Sequence, residues 1–191
     1  MSKYINSYNF LDKIIATLRS AELKKNFSIE NKNILDFGCG SNFKKLKKIY
    51  SSCNSITLVD RYFEDFSEEN LSYINYKDNL ETLNTNTKDN YDIIILAAVI
   101  EHLEKPENVL NILKEKLSKN GFIFLTAPGK KSKFILEFLA YKLGLINRDL
   151  VKEHKRYYDQ KEYELLSKKT NLTIKKFYFF EFGLNTVCIL N

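Results

Sequence analysis

Asn33-Ile34-Leu35-Asp36-Phe37-Gly38-Cys39-Gly40-Ser41 runs from an apolar segment into an acid and then into two glycines one residue apart. A lysine-rich helical pattern follows. The order reads as a buried strand, a turn too tight for side chains, and a helix N-terminus. Glycine lets the backbone pass close against a ligand, and a helix start offers open N–H groups and a positive dipole end. The turn is therefore suited to a small, polar, partly anionic molecule.

Working outward, strand and helix patterns alternate. The segment Ser55 to Val59 reads as a second strand ending at Asp60, and Ser72 to Tyr76 as a third before Lys77-Asp78-Asn79. Tyr91 to Leu96 is almost unbroken apolar sequence, as expected of a strand buried on both faces. Pro106 opens a helix read to about Ser118, with Asn120-Gly121 expected to close it and Gly121 to Ala127 to form a fifth strand. Phe43 to Tyr50 reads as the helix after the first strand. Upstream, Phe10, Leu11, Ile14, Ile15 and Leu18 recur at helical spacing, so residues 1–30 are expected to form a helical cover. Asp159 and Glu162 have capping-box spacing for a helix to about Thr170. Leu172 to Phe180 and Leu184 to Leu190 are strand-like and joined only by Glu181-Phe182-Gly183, too short for a crossover helix, so they must pair antiparallel.

Composition bounds the rest. With 191 residues, 44% of them apolar, a single domain with a sizeable core is expected. Three cysteines without a C-x-x-C pair argue against a disulfide framework or structural zinc and fit a reducing cytoplasm. Phe134 to Ile146 has ten apolar residues in thirteen, interrupted by Glu137 and Lys142, too short and charged to span a bilayer. Of the net charge of +6, five units fall between Lys130 and Arg156, where eight Lys/Arg face three acids. A solvated surface and an anion-binding lid both fit that excess.

Ligands of open parallel sheets sit at the carboxyl ends of the strands. Asp60, 20 residues beyond Gly40, is placed to accept the two hydroxyls of a ribose. A P-loop is absent, and Phe43 stands where a dinucleotide fingerprint needs its third glycine. A third candidate is S-adenosylmethionine, which has a ribose but no pyrophosphate.

Ile34 to Gly40 resembles the first motif of the class I S-adenosylmethionine-dependent methyltransferases, strand-D-x-G-x-G. Asp60 matches that family's ribose-binding acid and Asp78 its adenine-side acid, and Leu96 to Leu103 is similar to the segment after the fourth strand in its small-molecule branch. The resemblance implies a doubly wound, Rossmann-like α/β fold with a seven-stranded sheet, mostly parallel with a C-terminal antiparallel strand. It also implies one methyltransferase domain over residues 1–191, with 130–158 as an acceptor-side insertion. Asn42 stands where a third glycine is common, and the chain is short for the family.

The implied donor site is Asp36, Gly38, Cys39, Gly40, Asp60, Arg61, Asp78, Asn79 and Ala97. Both histidines, His102 and His154, fall where an acceptor should arrive and are candidate bases. Lys131, Arg156, Tyr157 and Tyr158 are candidate acceptor contacts, Arg156 by gripping an anion and the tyrosines by walling a ring. Metal-dependent relatives carry Glu-x-x-Glu-His; here Ala98 replaces the first carboxylate, so no metal is expected. The leading expectation is O-methylation of a small or carrier-linked anionic acceptor, such as a nucleotide-linked or phosphorylated sugar. The alternatives are a lipid or quinone methyltransferase with peripheral membrane contact, an RNA methyltransferase, and a non-catalytic binding subunit. Nucleic acid is disfavoured because the basic excess is confined to one segment. Oligomeric state is left open.

Overall fold

The computed structural model describes residues 17, 21–40, 48–60, 65–68, 70–76, 79–88, 90–145 and 148–191. The chain lays down β1 (Asn33–Phe37), β2 (Ser55–Asp60), β3 (Phe66–Glu68) and β4 (Leu71–Asn75), then α1 (Leu80–Asn86) and β5 (Tyr91–Ala97). Next come α2 (Pro106–Glu115), β6 (Leu117–Pro128), α3 (Ser132–Tyr141), α4 (Arg148–Lys152) and α5 (Gln160–Thr170). The chain finishes with β7 (Ile174–Phe180) and β8 (Asn185–Leu190). The strands form one sheet in the order β3-β4-β2-β1-β5-β6-β8-β7.

From β4 to β6 neighbouring strands pair parallel. β8 slots between β6 and β7 and runs antiparallel to both. This is the expected seven-stranded Rossmann-like sheet; three-residue β3 adds an eighth, antiparallel strand at the edge. The chain moves outward from β1 to β4 and returns to β5 on the other side of β1. That reversal opens a crevice at the carboxyl ends of β1 and β5.

Alternating side chains split the interior into two layers. Leu35, Phe37, Val59, Ile94 and Leu96 face one layer, with Val109 and Leu110 of α2 and Tyr163 and Leu166 of α5. Ile34, Ile56, Leu58, Ile93, Ile95 and Phe124 face the other. There the helical run 21–26 contributes Leu23, and Phe27 stacks on Phe122 and Phe124 at 5.6 and 6.1 Å. Burial on both faces explains why β5 is apolar without alternation.

Two helix boundaries differ from expectation. α2 stops at Glu115, and β6 starts at Leu117, so Asn120-Gly121 lies inside a strand instead of closing a helix. Gly121 serves close approach: a Cβ there would stand 2.6 Å from the Tyr91 carbonyl, beside the register shift between Tyr91 and Ile93. The helix expected over Phe134 to Ile146 is α3, shorter and displaced, after which Gly144 adopts φ +65°. The capping box is present: Asp159 Oδ1 accepts from Lys161 N at 3.0 Å and Glu162 Oε2 from Asp159 N at 3.2 Å. Most of the helix expected over Phe43 to Tyr50, and the apolar stripe from Phe10 to Leu18, lie outside the described residues.

Candidate functional site

The crevice floor is the turn after β1. Gly38 and Gly40 take φ +78° and +75°, a conformation that side chains oppose. A Cβ on Gly38 would stand 2.2 Å from Val99 Cγ2, so the loop after β5 lies directly against the turn. The Gly38 N–H donates to Val59 O at 2.8 Å, and Gly40 N–H donates to Asp60 Oδ2 at 2.7 Å. The acid ending β2 is thus fastened beside the glycines. Ala97 ends β5; Ala98 follows at φ +59°, its N–H donating to Thr126 O at 2.9 Å.

Asp36 is buried at the end of β1 and accepts the Tyr50 hydroxyl at 2.7 Å. Burial pushes its carboxyl up to about 7; the Tyr50 hydrogen bond opposes the rise and nearby Asp60 adds to it. Asp60, half-buried at the rim, has no such enclosure. Burial also pushes the Cys39 thiol well up, so Cys39 packs under the turn instead of acting as a nucleophile. Asn79 is engaged as the N-cap of α1, its Oδ1 accepting from Glu81 N at 2.9 Å. Arg61 and Asp78 lie outside the described residues.

On the loop after β5, which meets the turn through Val99, residues distant in sequence converge. His102 follows β5 and His154 follows α4, yet their rings meet edge to face with centroids 4.9 Å apart. Tyr157 stacks on His154 at 5.6 Å. Lys155 N–H donates to Glu101 O at 2.8 Å, tying the two segments together. Buried Glu101 joins them: one ligand-type atom each from Glu101, His102 and His154 lies within 4.8 Å of the others. Glu101 was not expected in the site. Its signal in the sequence is the Glu101-His102 dipeptide, although Ala98 stands where metal-dependent relatives carry the partner acid.

Other expected acceptor contacts are placed differently. Tyr158 is 2% exposed, packs on Tyr163 at 5.1 Å and donates to Ile100 O at 3.3 Å; its ring is core, not a wall of the crevice. Arg156 spends two N–H groups on the carbonyls of Leu103 and Glu104, both at 2.8 Å, and so fixes the loop carrying His102. Lys130 binds Asp159 and Glu162, and Lys155 binds Glu104, so part of the basic excess is matched within the molecule. Lys131 stands exposed at the start of α3. A cavity of about 320 Å³ lined by Phe27, Asp92, Ser118 and Phe122 lies at the opposite, N-terminal ends of the strands, away from these groups.

A turn opened by two positive-φ glycines, with a carboxylate at its rim, fits a nucleoside with neighbouring hydroxyls, as S-adenosylmethionine has. Known proteins agree with the fold and the chemistry. Two curated relatives are ubiquinone biosynthesis O-methyltransferases. The protein from Hydrogenovibrio crunogenus is 24% identical over 85% of this chain and 70% of its own length. The one from Rickettsia bellii is 28% identical over 78% of this chain and 64% of its own length. Among solved structures, an S-adenosylmethionine-dependent methyltransferase from Archaeoglobus fulgidus matches with a TM-score of 0.61 at 16% identity, over 91% of this chain and 93% of that one. Another from Mesorhizobium loti gives 0.65 at 11% identity, over 89% and 95%. A family model described as a methyltransferase domain matches residues 8–176. The chain belongs to that methyltransferase-domain family and shares the fold of S-adenosylmethionine-dependent methyltransferases.

Proposed function

We propose that this enzyme O-methylates a hydroxyl of a small hydroxylated aromatic acceptor, of the quinone-precursor kind, instead of the anionic sugar that the charge pattern first suggested. The observation that carries this reading is the meeting of His102, His154 and Tyr157 beside the loop that lies against the glycine turn. It supplies proton acceptors and flat apolar surface, which a phenolic ring uses. The internal pairing of Lys130, Lys155 and Arg156 takes away much of the case for a phosphate grip. The names of the two curated relatives point the same way.

S-adenosylmethionine supplies an activated methyl on a sulfonium. Gly38, Gly40 and Asp60 would hold its nucleoside, and the loop from Ala97 to Glu101 would separate it from water. A histidine of the pair would take the hydroxyl proton as the new oxygen–carbon bond forms, a role worth about 10²–10⁴-fold. Orienting the acceptor contributes more, roughly 7–11 kcal/mol at best.

The gathering of Glu101, His102 and His154 favours a second reading of the same residues. Two imidazoles and a carboxylate are a donor set that suits a divalent cation, which would acidify and orient an acceptor hydroxyl. Methyl transfer should be assayed by mass spectrometry with a prenylated catechol and with a nucleotide sugar, each with and without chelator. Methylation of the catechol alone is the expected result. Methylation of the sugar alone would overturn the aromatic reading, and loss of activity on chelation, restored by metal, would select the cation.

A further inference from the structure

α3 is apolar on both sides, an arrangement that a surface helix keeps only when something covers each side. Its inner side is accounted for: Leu136, Leu139 and Ala140 pack with Val151 of α4. Its outer side is not. Phe134 is 77% exposed, and Ile135, Phe138 and Tyr141 on the same side are 39–46% exposed. Leu143 and Leu145, just beyond the helix, are each half-exposed. A second feature adds to this face. Phe182, at the tip between β7 and β8, is fully exposed, with φ +56°. The tip and the helix share an anchor: Gly129 N–H donates to Leu184 O at 2.8 Å, and Ser132 N–H donates to Gly129 O at 2.9 Å. Two elements therefore offer large apolar side chains at the end of the sheet where the crevice opens.

We propose that this face docks on a lipid bilayer bearing anionic headgroups. The charge around the apolar side chains selects that occupant: Lys131, Lys133, Lys142 and Lys152 are all exposed, whereas Glu137 and Glu153 are half-buried. Aromatic and aliphatic tips ringed by lysines suit an interface where acyl chains lie beneath phosphates. Docking would bring the crevice to the surface where lipid-soluble acceptors reside. It goes beyond the acceptor assignment and can fail separately, because the vesicles used to test it contain no acceptor.

Flotation of the purified chain with phosphatidylcholine vesicles, with and without one-third phosphatidylglycerol, tests the proposal. Binding to the anionic vesicles is expected, weakening as salt rises. F134S/F138S should lower it at least about tenfold, K133E/K142E similarly, and F182S alone by several-fold, each keeping the parent's affinity for S-adenosylmethionine. F182S alters only a fully exposed tip, so its result holds even if the double variants fold poorly. Failure of the parent chain to float with anionic vesicles at low salt would overturn the proposal. So would flotation that F182S and both double variants leave unchanged. A dimer of the parent chain that F182S or F134S/F138S dissolves, without vesicle binding, would assign the face to a second copy instead.

Discussion

Asp36 is a buried acid behind the glycine turn. Its folded value of about 7 lies above the ordinary 3.8, so the folded chain holds this proton more tightly than the unfolded one. Its contribution is fully present below about pH 4 and is lost as pH rises through 7. Asp36→Asn removes that dependence. Urea unfolding at pH 5 and pH 8 should show the variant gaining on the parent as pH rises, by at most about 3 kcal/mol. Parallel pH curves would show that the carboxyl is not enclosed. Asp60 is the contrasting case, an acid at the rim that we assign to the donor's sugar. Asp60→Ala should weaken S-adenosylmethionine about 10–100-fold by calorimetry, the scale of a lost charged hydrogen bond. Both acids were legible in the sequence because each ends a strand. The Tyr50 partner of Asp36 was not, since it arrives from a separate segment. Nor was the burial of Tyr158: adjacent Tyr157 and Tyr158 look alike in sequence, but one faces His154 and the other the core.

Turns and caps show the same division at the scale of elements. The glycine turn after β1, the capping box of α5 and the antiparallel β7–β8 pair all follow from local chemistry, and each is where the sequence places it. Gly121 misled because Asn-Gly ordinarily ends a helix, while here the nearby Tyr91 carbonyl demands a residue without a side chain. Only a neighbouring strand creates that demand. Gly38 combines both constraints, a left-handed φ and contact with Val99. Gly38→Ala should therefore cost about 1–3 kcal/mol of stability by urea unfolding and largely abolish donor binding. A variant of parental stability that still binds S-adenosylmethionine would show that the turn tolerates a side chain.

For the whole molecule, the order of alternating elements made the doubly wound sheet legible, because parallel strands need crossovers and those crossovers have one hand. The sequence brings His102 and His154 to the acceptor side, but not their ring contact, which depends on how the segment after β6 folds back toward β5. Of His102→Ala and His154→Ala, the one that removes the base should lower kcat about 10²–10⁴-fold and the other less, both leaving the Kd for S-adenosylmethionine unchanged. Equal loss of donor affinity would place the pair in the donor site instead. α3 and α4 share a small core of Ala140 and Val151, whereas the glycine turn and Asp60 are built entirely from strands that come before residue 100. The fold thus behaves like a socket with an interchangeable head. On the proposed readings, drift or grafting within residues 132–152 would change acceptor choice or surface attachment while the methyl supply stays as it was.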